Sequence, residues 1–117
     1  MSDPVLDPQA LTRLRRIGGD RLVHAMMSAF VENGAQKVAA GRAGAEARDG
    51  AALSDAAHAL KSSAGNVGAS TLQQVAQKVE REAKEADANL LLLATQLSAA
   101  FERAAAAAIE ARDAVRG

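Results

Sequence analysis

The chain has 117 residues, no cysteine, and 14 basic against 14 acidic side chains: one domain over 1–117, with no disulfide framework or thiolate metal site and no room for a nucleotide-binding kinase domain of its own. Zero net charge leaves no basic footprint for nucleic acid, and aromatics at 2%, with no Trp or Tyr, leave no base-stacking platform. Hydrophobic residues reach 49%, about half of them Ala, and no apolar run approaches the ~18 residues of a membrane span, so the expectation is a soluble, cytoplasmic, closely packed helical protein.

The first helix is predicted to open at Asp7-Pro8, an N-cap followed by a proline where its missing N–H costs nothing. Leu11 and Leu14 continue it, and Gly18-Gly19 ends it. Asp20 is the expected cap of a second helix with the buried stripe Val23, Met26, Met27, Phe30 and Val31. Gly34 interrupts that helix or joins it to the next. Residues 35–48 read as a helix weakened by Gly41 and Gly44, each costing about 1 kcal/mol relative to Ala, and ended by Asp49-Gly50. A helix over 51–67 follows, broken by Gly68. The next, opened by Ala69 or Ser70 and running to Ala86, buries Leu72, Val75, Ala76, Val79 and Ala83. Asp87 is the expected cap of a last helix over 88–116, with Leu90, Leu93, Leu97, Phe101, Ala104, Ala108, Ala111 and Val115 on one face. There is no strand candidate. The predicted fold is all-α, an antiparallel four-helix bundle with a short extra N-terminal helix.

The helix over 51–67 carries the chemistry. At 100° per residue, Leu53, Ala57, Leu60, Ala64 and Val67 form a stripe within roughly 40° of its centre, and His58 lies roughly 140° away. His58 shares its side with Ser54, Asp55, Lys61, Ser62 and Gly65. The imidazole therefore projects toward solvent among small or polar neighbours, with a cation one turn along. A nucleophile, a cation and short side chains at Ser54, Ser62 and Gly65 suit the docking of a partner that brings the rest of an active site. Glu80, about 80° from the apolar centre of the following helix, is a boundary residue able to face His58. A carboxylate there would accept the Nδ1 proton and leave Nε2 free to attack. His24, beside Arg21 and Ser28, reads as a surface residue, and two histidines without a carboxylate cluster make no metal site. Ser62-Ser63 lacks a paired base, and no Gly-rich phosphate loop is present. The run from Lys78 to Glu85 is otherwise a solvated face of alternating charge.

The segment His58-Ala59-Leu60-Lys61-Ser62-Ser63-Ala64-Gly65-Asn66-Val67-Gly68-Ala69 resembles the signature of histidine phosphotransfer (HPt) domains of two-component phosphorelays. The resemblance spans roughly residues 5 to 86, with the last helix matched only in kind. It implies that His58 is the phosphoacceptor, that Lys61 steadies the phosphoryl group and that Glu80 bonds the imidazole. It departs from the family at Ser62, where Gly is frequent, which modestly blurs partner docking. The dimerisation domains of sensor kinases place an acidic residue after their His and a proline soon afterwards; here Ala59 follows His58 and the helix lacks proline.

The resemblance implies a monomeric, stoichiometric shuttle without an ATP site. Its partners are response-regulator receiver domains and a hybrid sensor kinase, and Mg²⁺ is held by the receiver. No cofactor or metal of its own is expected. The competing reading is a helical adaptor or dimerisation module, its last helix packing against a second copy.

Overall fold

In a computed structural model that describes residues 5–115, the chain forms α1 (Pro8–Glu46), α2 (Gly50–Val67), α3 (Ser70–Glu82) and α4 (Leu90–Asp113). Each helix packs on its neighbours in a closed ring, α1 on α2 and α4, α3 on α2 and α4. The bundle measures 46 × 28 × 19 Å. Its core is built from Val23 and Met27 of α1, Leu53 and Leu60 of α2, Leu72 and Val79 of α3, and Leu97 of α4. Phe30 and Phe101 close one layer with ring centroids 5.6 Å apart. The α4 stripe packs as its periodicity predicts, whereas Met26 is only half-buried.

The predicted bundle and its extra N-terminal helix are both present, but α1 joins three expected segments into one element. Gly19 has φ 70° and ψ −168°, so the predicted break survives as a kink. Asp7 caps the helix by accepting from the Gln9 N–H at 2.9 Å. Asp20 does not act as the second cap; its carboxylate accepts from Arg15 Nε at 3.1 Å. Gly34, Gly41 and Gly44 do not interrupt the helix, because they sit where other helices come closest. A Cβ on Gly34 would meet the Phe101 ring at 2.2 Å, and one on Gly41 would meet Leu53 and Ala56 at 3.2 Å. Close packing offsets the poor helix propensity of these glycines.

Two turns set the register of the active helix. Asp49 accepts from the Ala52 N–H at 3.1 Å and so caps α2 at its start. At its end Gly68 takes the left-handed conformation with φ 75°, and its carbonyl accepts from the Asp7 N–H at 2.8 Å. The N-terminal segment is thereby tied across the α2–α3 turn. α3 stops at Glu82, earlier than expected, and residues 83–89 form the turn to α4. Asn89 caps α4 by accepting from the Leu92 N–H at 3.1 Å, where Asp87 was expected to do so. The helix ends at Asp113; residue 116, its expected end, lies outside the described residues.

Gly50 offers a direct check of this packing. A Cβ there would come within 2.1 Å of the Ala83 carbonyl oxygen, a main-chain atom that a rotamer change cannot move. Gly50→Ala is expected to destabilise the protein by about 1–3 kcal/mol, measured by chemical denaturation.

Candidate functional site

α2 presents its core stripe to the bundle and leaves the His58 side chain 63% exposed. α3 runs alongside, and its last turn brings Glu80 over the flank of α2. Glu80 spans two residues of that helix. Its Oε2 lies 2.6 Å from His58 Nδ1, and its Oε1 accepts from Lys61 Nζ at 2.6 Å. Both distances are those of charge-assisted hydrogen bonds. The Lys61 ammonium, most strongly, and then the His58 ring hold the Glu80 carboxyl below the ordinary glutamate range, against a smaller upward push from desolvation.

That ionisation decides the imidazole tautomer. An ionised carboxylate has no proton to give, so Nδ1 of the neutral ring carries the hydrogen and donates it to Glu80. Nε2 then holds the free lone pair. The site thus contains an oriented, solvent-facing nucleophilic nitrogen backed by a fixed negative charge.

The surroundings agree with the expected platform at two positions and differ at a third. Ser62 and Gly65 are exposed, one and two turns along α2 from the ring. A Cβ on Gly65 would lie 3.2 Å from the Gln73 amide nitrogen, the mobile end of a side chain. Ser54, by contrast, is 1% exposed and cannot meet a partner. It lies roughly 100° from the centre of the apolar stripe, on the flank that α3 covers. Lys61 differs as well: its ammonium is engaged by Glu80 before any phosphoryl group arrives.

Gln77, Arg81 and Lys84 join Lys61 and Glu80 around a shallow, predominantly basic cup of about 410 Å³ beside the imidazole. A larger cavity of about 750 Å³ lies between the α1–α2 and α3–α4 turns and includes none of the predicted site residues. His24 is half-buried on α1. Among the described residues, no group of three or more His, Cys, Asp or Glu is arranged to hold a metal.

The fold and site together are a helical bundle that displays one oriented imidazole on an open face. The family model for the Hpt domain matches residues 25–111, and the chain belongs to that family. The match takes in most of α4, beyond the reach of the sequence resemblance, and leaves out the N-terminal segment before the kink. The fold is also similar to the crystal structure of histidine-containing phosphotransfer protein B (HptB) from Pseudomonas aeruginosa PAO1. The TM-score is 0.87 at 25% identity, over 98% of this chain and 100% of that one. No curated protein sequence matches significantly. The protein is a phosphorelay intermediate, and its interaction partners are response-regulator receiver domains.

The depressed Glu80 pKa has a defined sign. Its contribution to stability is complete above the unfolded-state value and is lost as pH falls through the lowered folded value. The Glu80 carboxylate, followed by carbon NMR, is expected to titrate below the ordinary glutamate range. Lys61→Ala moves that midpoint upward more than His58→Ala does.

Proposed function

We propose that His58 is the phosphoacceptor. The observation that carries this reading is the 2.6 Å contact between His58 Nδ1 and Glu80, which leaves Nε2 available on an exposed ring. Neutral Nε2 attacks the phosphorus of a receiver aspartyl phosphate in line. The N–P bond forms, the P–O bond to the aspartyl oxygen breaks, and the receiver carboxylate leaves with the electron pair. The ring keeps its Nδ1 proton and becomes cationic, opposite the ionised Glu80. Reversal of these steps passes the group to a second receiver.

Such a transfer has a loose transition state with charge spread over the phosphoryl oxygens, so positioning and electrostatics dominate. Lys61 is close enough to supply part of that charge, sharing itself between Glu80 and the incoming group. Arg81 and Lys84 extend the positive flank toward the acidic phosphorylation pocket of a receiver. A divalent cation, Mg²⁺, would be held by the receiver and would supply charge neutralisation there. The protein itself acts stoichiometrically, as a cytoplasmic monomer without an ATP site, downstream of a hybrid sensor kinase. Among the described residues, no helix is long and apolar enough to cross a membrane.

The deciding experiment incubates the chain with a phosphorylated receiver domain and follows intact mass. One acid-labile phosphate is expected on the wild type. His58→Gln abolishes acceptance with the fold intact, and His24→Gln leaves it largely unchanged; full labelling of His58→Gln would overturn the assignment. Docking has its own check. Gly65→Gln places a long side chain beside the ring on an exposed helical position, so helicity and melting are retained while receiver transfer slows by about tenfold or more.

A further inference from the structure

Three α2 residues, Ser54, His58 and Lys61, lie at spacings of four and three along one ridge of the helix, and all three end on the same residue of α3. His58 and Lys61 hold the Glu80 carboxylate. Ser54 Oγ donates to the Glu80 main-chain carbonyl at 2.8 Å. We infer that Ser54 is a positioning residue for phosphotransfer, acting through Glu80 by pinning its main chain so that its carboxylate meets Nδ1 of the imidazole. The inference rests on the phosphoacceptor reading of His58.

Ser54 is the one buried polar residue among those described, at 1% exposure. Space alone does not require it, since Ala57 and Ala64 occupy comparable buried positions on the same helix. A hydroxyl removed from water without a partner is costly, so its benefit must come from the bond it makes. That bond has a particular target. Glu80 lies in the last turn of α3, whose carbonyls lack the partners that a continuing helix would give them. Terminal turns fray, and a frayed turn would carry the carboxylate away from the ring. Ser54 caps this carbonyl from the neighbouring helix and fixes the height of the Glu80 Cα against α2. The side chain then needs only its rotamer to bridge His58 and Lys61.

The test reads the His58 tautomer by nitrogen NMR in alkaline buffer, where the ring is neutral, together with the rate of phosphate uptake from a receiver. Ser54→Ala is expected to reduce the Nδ1–H population and to slow uptake by about threefold to tenfold. In a Glu80→Ala background the same substitution changes neither quantity further, because the group it positions is gone. Ser54→Cys leaves a weaker donor on a slightly bulkier side chain; it shows the same changes to a smaller degree and carries the test if Ser54→Ala does not fold. An unchanged tautomer overturns the inference, as does equal slowing with and without Glu80. The tautomer measurement needs no phosphate, so it stays decisive for Ser54 even if the wild type accepts no phosphoryl group, a result that would instead remove the phosphoacceptor reading.

Discussion

One carboxylate organises the functional face. Glu80 accepts from two groups a single turn apart on the neighbouring helix, and each contact measures 2.6 Å. Both hydrogen bonds cross from one helix to the other. The α2–α3 packing must therefore hold a donor face and an acceptor face in register. Leu60, Ala64 and Val67 from α2 and Leu72, Ala76 and Val79 from α3 supply the apolar contact that does this. Short side chains at Ala64 and Ala76 keep the helices close enough for a glutamate to span the gap.

The resulting site is electrically balanced and chemically incomplete. Lys61 and Glu80 cancel in formal charge, while the neutral ring projects its lone pair outward. A fully enclosed nucleophile would be better insulated from water but unable to reach a phosphoryl group embedded in another protein. The 63% exposure of His58 suits that requirement on the proposed phosphoacceptor reading. Phosphoryl transfer asks mainly for positioning and for charge around the moving group. On the proposed phosphoacceptor reading of His58, dividing those duties between two proteins lets one carrier serve more than one receiver, with orientation, a cation and a counter-charge coming from the carrier.

Both ends of α2 are fastened by unrelated local devices. Asp49 caps its start, and the left-handed Gly68 turns the chain at its end. The segment preceding α1 then closes over that turn through the Asp7–Gly68 main-chain bond. Ala10 sits so close that a Cβ on Gly68 would meet it at 2.6 Å. The N-terminal helix is thus bound to the end of α2.

Periodicity alone established the helical class, most of the core, the outward direction of His58, the cation beside it and the boundary position of Glu80. These depend on angles around a single helix axis, which a residue spacing specifies. Tertiary packing decided the rest. Ser54 and His58 lie on the same flank of α2, yet one is buried and the other exposed, because the position of the α3 axis sets where solvent begins. Lys61 looked free for a phosphoryl group and is already engaged, since the acceptor that engages it comes from another helix. Gly34 looked like an interruption or a join, and Gly41 and Gly44 like weak points of their helix, yet all three admit neighbouring helices, their local cost offset by contacts invisible along the chain. Asn89 replaced Asp87 as the cap of α4 because the α3–α4 turn, held against Gly50, determines where the last helix starts. Spacing specifies which way a side chain points; only the packed neighbours determine what it meets.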